Sequence, residues 1–132
     1  MQQQKATSLP GDEVVVRDMD GWHERACHAQ RRLLSSIAEA DRRELWRNDG
    51  AHDMAHWLWM RYGISDWKAR RWIAAAHALD SLPAIAQAFT AGSIGIDKVV
   101  ELCRFATAET EETLLVWAMP GIRGRHPGPW RQ

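Results

Sequence analysis

Residues 55–72 read Ala55-His56-Trp57-Leu58-Trp59-Met60-Arg61-Tyr62-Gly63-Ile64-Ser65-Asp66-Trp67-Lys68-Ala69-Arg70-Arg71-Trp72. Gly63 lacks the Cβ that disfavours positive φ, so it suits the left-handed position that ends a helix. Ile64 is an apolar plug for the angle of a corner, and the Ser65 hydroxyl can accept from the free N–H groups that open the next helix. The stretch therefore predicts helix, tight turn, helix. Working outward, Asp53 is a cap for a helix running to Tyr62, and the helix that starts at Ser65 continues to about Asp80. Along the latter, Ala69, Trp72, Ile73, Ala76 and Leu79 share one side at 100° per residue and should face a core. Trp67, Arg70, Arg71 and Ala74 fall on the opposite side.

Upstream, Asp20 suits an N-cap, and Trp22, Ala26, Ala29, Leu33, Ile37 and Ala40 recur at spacings of three and four. That stripe predicts a long first helix to about Trp46, stopped by the turn residues Asn48-Asp49-Gly50. Residues 1–19, including Val14-Val15-Val16, are expected to be a lead-in. Downstream, Pro83 fits the first turn of a fourth helix ending at Gly92. A fifth helix is expected over Ile96–Phe105. A sixth is expected to be capped by Thr107, with Glu109, Glu111 and Glu112 favoured in its first turns by the helix dipole. Pro120, Gly121, Gly124, Pro127, Gly128 and Pro129, with Arg123, Arg125 and Arg131, predict a disordered basic tail over 119–132. The expected fold is all-α: a helical domain of about six helices over 20–118, with a helix-turn-helix-like corner.

The bulk properties narrow the function classes. The chain has 132 residues, enough for one domain with its own core. Its mean hydropathy is −0.43, and no apolar run approaches the ~18–20 residues of a membrane span. The start, Met1-Gln2-Gln3-Gln4-Lys5, lacks the apolar stretch of a secretory signal, so a cytoplasmic location with no membrane partner is expected. Cys27 and Cys103 read as reduced, helix-borne thiols. Formal net charge is zero, which argues against a simple polyanion binder. The charge is unevenly spread. Between Arg61 and Arg71, four basic residues meet only Asp66, whereas Asp97 to Thr113 holds five acids against Lys98 and Arg104. Arginine outnumbers lysine 14 to 3, a bias that GC-rich coding favours.

No glycine-rich phosphate loop, no nucleophile with an evident base and no isolated carboxylate pair stands out, so no catalytic residue and no cofactor is expected. Function then rests on the outward face of the helix after Gly63. A helix-turn-helix reader places such a helix in the DNA major groove. Arg70 and Arg71 would reach phosphates and base edges there, with Arg61 and Lys68 as further phosphate contacts. Against this, Trp59 is expected where the two helices cross, where a small residue fits better, and Asp66 adds negative charge at the approaching end. The rival reading is a protein-binding or self-associating face centred on Trp67. The plainest is a solvated face, with Trp67 packed under the first helix. His52 and His56 stand at i and i+4 and could share a metal in a metallohydrolase, but Asp53 occupies the place of the usual glutamate and no third ligand is evident, so no metal is assigned. His23 and Cys27 repeat the spacing with the same weakness. Trp22, Trp57, Trp72 and Trp117 lie on apolar stripes and read as structural.

An ordered series also runs through the chain: Asp49-Gly50-Ala51, Trp57-Leu58, Gly63-Ile64-Ser65, Ala69-Arg70-Arg71, Ala78-Leu79 with Leu82-Pro83, Ala91-Gly92, Ala106-Thr107 with Glu109-Thr110-Glu111, Leu114-Leu115 and Trp117-Ala118. Over about residues 20–118 it resembles the N-terminal helical region of the actinobacterial thirteen-E-twelve repeat proteins, domain-of-unknown-function family 222. The resemblance implies an association with HNH endonuclease domains and with mobile elements, and through them a DNA-targeting role. It implies no catalytic residue for the helical region itself, and the ββα-metal motif of the nuclease is not found in this sequence. The chain departs from the family pattern at Trp59, Met60 and Gly95 and in the Pro/Gly/Arg residues after Ala118, which suggests a truncated or stand-alone member.

Overall fold

The computed structural model describes residues 9–119. Among these residues six α-helices follow one another with no strand: α1 (Asp12–Arg42), α2 (Met54–Tyr62), α3 (Asp66–Ala78), α4 (Pro83–Thr90), α5 (Ile96–Leu102) and α6 (Glu111–Ala118). Short 3-10 turns at Leu45–Asp49 and Leu79–Ser81 follow α1 and α3. The expectations for residues 1–8 and 120–132, the basic tail among them, lie outside the described residues.

α1 is longer at its start than its sequence pattern suggests. It begins at Asp12 rather than at an Asp20 cap, so Val14-Val15-Val16 and the rest of residues 12–19 are helix and not lead-in. Gly11, at φ +89°, turns the chain into it, the Leu9 N–H donates to the Asp12 carboxylate, and Asp12 and Glu13 complement the helix dipole. Three β-branched valines weaken a helix only slightly, and the continuing turns downstream outweigh them.

The buried face of α1 also differs. Cys27, Leu34, Ile37 and Ala38 enter the core, whereas Trp22 is 61% exposed and Ala26 and Ala29 lie in solvent. Of the expected stripe, only Leu33, Ile37 and Ala40 meet the body of the domain. The body, chiefly α3 and α4, packs on the C-terminal half of α1, and no residue from 12 to 26 is buried. α1 stops at Arg42, short of the expected Trp46. Glu44 takes a left-handed φ of 53°, the 3-10 turn follows, and Gly50 (φ +76°) closes it at the expected Asn48-Asp49-Gly50.

The remaining helices enclose a core in which Phe89, Leu34, Leu58, Leu79, Ile85, Leu102 and Val99 are almost fully buried. Two polar clamps fix α1 against the α3 end: His77 Nε2 lies 2.7 Å from Asp41, and Arg42 donates to Asp80 at 3.0 Å. The loop from α4 to α5 crosses α1 at very short range. Gly92 has φ +81°, and a Cβ there would sit 2.6 Å from Glu24 Cγ and 2.9 Å from Glu24 Cα.

The expected Thr107 cap is corrected as well. The Thr107 N–H donates to Thr110 Oγ1 at 2.9 Å and closes a turn, and α6 starts only at Glu111. Glu109 and Glu112 are exposed, but Glu111 is 5% exposed and accepts from the Ile85 N–H at 3.0 Å. α4 opens on Leu82-Pro83 with no side-chain cap of its own. Glu111 therefore caps α4 from across the fold, supplying an acceptor that the local sequence lacks.

Candidate functional site

The corner between α2 and α3 forms as its residues dictate. Asp53 caps α2, accepting from the His56 N–H at 2.9 Å, and Gly63 ends the helix at φ +72°. Ser65 caps α3, accepting from the Lys68 N–H at 3.3 Å. Leu58, 1% exposed, fills the inner side of the corner. Contrary to the expectation from sequence, Trp59 does not sit at the crossing. It is 57% exposed and stacks on His56, with ring centroids 6.1 Å apart.

α3 divides as its periodicity predicts. Ala69, Ala76 and Leu79 are buried, Trp72 and Ile73 pack against the core, and Trp67 and Ala74 face out. Trp67 is 71% exposed and so does not pack under α1. Arg70, Arg71, Arg61 and Lys68 all lie on or beside this surface, and each guanidinium already has a carboxylate. Arg70 donates to Asp66 and to Asp53, both at 3.0 Å. Arg71 donates to Glu101 of α5 at 3.0 Å and lies 4.7 Å over the Trp67 ring. Arg61 sits 5.1 Å over Trp57 and 3.9 Å from Asp49, the same carboxylate that accepts from Trp57 Nε1 at 2.7 Å. Lys68 lies 5.3 Å over Trp72.

One pair, Arg71 with Glu101, joins the basic stretch to the acidic one, while Arg70 is held by Asp66 and Asp53 and Arg61 lies beside Asp49. Glu101, which also accepts from Arg104 at 3.4 Å, and Asp53 are the site residues that pattern reading did not assign. For Glu101 the signal was the charge excess of one sign in each stretch, which the packing of α3 on α5 brings together; Asp53 lies outside both stretches and is brought to Arg70 by the packing of α2 on α3. The hydrogen bond from the His56 amide, then that from Arg70, holds the Asp53 carboxyl below its ordinary value, and the bonds to Asp66 and Asp53 raise that of Arg70.

Beside Trp67 a groove of about 370 Å³ opens between α3 and α5, lined by Trp67, Arg70, Ala74, Val100, Cys103 and Arg104. Burial, then the charge of Glu111, pushes the Cys103 thiol up to about 11, so it stays protonated near neutral pH. Cys27 is likewise raised by burial, with its sulfur 3.5 Å from His23 Nε2. The His52 and His56 rings stack at 4.6 Å, and His56 Nδ1 accepts from the His52 N–H at 3.0 Å. Among the described residues no group of three or more His, Cys, Asp or Glu is gathered, and no helix is long and apolar enough to cross a membrane.

The same helices carry the ordered series that runs from Asp49 to Ala118, and the profile of a domain of unknown function, DUF222, matches residues 16–117. The chain belongs to the DUF222 family. No curated protein and no solved structure matches it. The DUF222 match starts inside α1 and ends inside α6, so it takes in the α2–α3 corner and every residue of the Trp67 surface.

Removing Asp53 strips a cap and one partner of Arg70 together. Asp53→Ala is expected to cost about 1 kcal/mol, the usual value of an N-cap. Its pH dependence has a definite sign. The folded carboxyl titrates below its unfolded value, so its contribution is complete above the ordinary carboxylate range and disappears as pH falls through the depressed value. Urea melts of both proteins should therefore differ at pH 7 and converge in strong acid.

Proposed function

We propose that this DUF222 domain is a non-catalytic helical interaction module that takes a protein partner on the Trp67 surface of α3 and the groove beside it. The observation that carries this reading is the combination of a 71% exposed indole with arginines that already hold carboxylates. Binding phosphate there would mean displacing Asp53, Asp66 and Glu101, and their charges would remain beside the phosphate as like charge. A protein partner faces no such opposition. An exposed tryptophan backed by arginine is a common anchor of protein interfaces, and an apolar side chain can enter the groove between Ala74 and Val100. The partner expected is a segment offering one apolar or aromatic side chain, with carbonyl oxygens for the remaining guanidinium N–H groups.

Peptides selected from a displayed random library on this chain test the proposal. They should shift the NMR signals of Trp67, Ala74, Val100 and Cys103, and Trp67→Ala or Ala74→Arg should abolish their binding. Binders that ignore both substitutions, or that map elsewhere, would refute it.

A second reading keeps DNA as the partner but moves the contact. Among the described residues Arg31 and Arg32 of α1 form no ion pair, and with His28, Ser35, Ser36 and Thr90 they line a polar groove. Unneutralised guanidinium groups are what phosphate contacts require, and the association with HNH endonuclease domains implied by the sequence resemblance would fit a DNA role. On this reading Arg31→Ala/Arg32→Ala should weaken DNA binding and flatten its salt dependence by about two units of slope, one per lost phosphate contact. An unchanged slope would rule that contact out.

A further inference from the structure

α1 carries two apolar seams, and the domain uses one. Cys27, Leu34, Ile37 and Ala38 face the core. A second series, Val15, Met19, Trp22, Ala26, Ala29 and Leu33, recurs at spacings of four, three, four, three and four, the 3.5-residue period of a helix that pairs with another helix. Its first five members face solvent, with Val15 67%, Met19 61% and Trp22 61% exposed. Isolated exposed apolar residues are ordinary, but a continuous stripe over about four helical turns with an exposed indole at its middle has the character of a contact surface.

We infer that this seam pairs α1 with α1 of a second copy of the chain, antiparallel, about a two-fold axis between Met19 and Trp22. The charges beside the seam select that occupant. Asp18 and Arg25 flank it on one side, one heptad apart, and among the described residues neither is in an ion pair; Arg25 lies 4.6 Å over Trp22. In an antiparallel pair that side of one helix runs beside the same side of the other. Asp18 of each copy then meets Arg25 of its partner, and the two-fold axis makes the contact twice. The same register sets Met19 against Trp22 and Val15 against Ala26, so each large side chain meets a smaller one. A parallel pair would instead stack Trp22 on Trp22 and leave Arg25 opposite Gln30.

Sedimentation of the full chain across the micromolar range tests the inference. The wild type should shift reversibly from monomer to dimer. Trp22→Asp should abolish the dimer while its helical circular dichroism persists, as expected for an exposed site. Asp18→Arg alone and Arg25→Asp alone should each weaken association by roughly tenfold or more, since each sets like charges together twice. Mixing those two variants should restore a dimer, as should Asp18→Arg/Arg25→Asp in one chain. Trp67→Ala should leave the dimer intact, which separates this surface from the one on α3. A wild type that stays monomeric, a dimer indifferent to Trp22→Asp, or charge variants that fail to rescue one another would overturn the inference.

Discussion

Gly92→Ala should destabilise the domain by about 3 kcal/mol, from left-handed strain plus steric overlap. Both effects follow from geometry. At φ +81° a Cβ costs energy wherever it is placed, and here it would also meet the α1 backbone 2.9 Å from Glu24 Cα. A flexible side chain could move aside, but a backbone inside a 31-residue helix cannot. The loop would have to lift from α1 and carry Ile94, 3% exposed, partly out of the core. Urea denaturation checks this. Gly50→Ala is the comparison, with a similar φ of 76° but no atom within 4 Å of where its Cβ would lie. Gly92→Ala should be clearly the worse of the two, and equal losses would show that the α1 crossing does not constrain the fold.

Glu111→Ala should cost about 2–3 kcal/mol by leaving the buried Ile85 N–H without an acceptor. Glu111→Gln keeps an acceptor oxygen and should recover much of that loss. The two variants also have a chemical readout. The Glu111 charge helps hold the Cys103 thiol near 11, so neutralising it should lower that value, though burial, the larger cause, keeps it above that of a free thiol. Alkylation rates of Cys103 against pH, in a Cys27→Ala background, would follow the shift. An unchanged rate profile in Glu111→Gln would separate the thiol from the capping carboxylate.

These two sites show where sequence reading reaches its limit. The α2–α3 corner was legible because its signals are local: Asp53, Gly63 and Ser65 act within four residues of themselves, and the inward and outward faces of α3 follow from its own period. The buried face of α1 was not legible, because the helix carries two apolar seams and its sequence does not say which one the body covers. The role of Glu111 was hidden for a related reason. In its own helix it reads as a dipole partner, and only the approach of α4 turns it into a cap. Arg70 is exposed and Arg71 half-buried, and their electrostatic state depends on Asp53 from α2 and Glu101 from α5. Along α3 exposure follows from periodicity. Whether a charge is available for a partner depends on neighbours distant in the chain.

The availability of those two guanidinium groups decides between the readings of α3, and a DNA-binding titration over a range of salt concentrations measures it directly. Wild type and Arg70→Ala/Arg71→Ala should give the same affinity and the same slope of log affinity against log salt, because both arginines are engaged by Asp53, Asp66 and Glu101. A slope flattened by about two units in the double variant would mean that both arginines leave their carboxylates for phosphate, and would contradict the assignment of this surface to a protein partner.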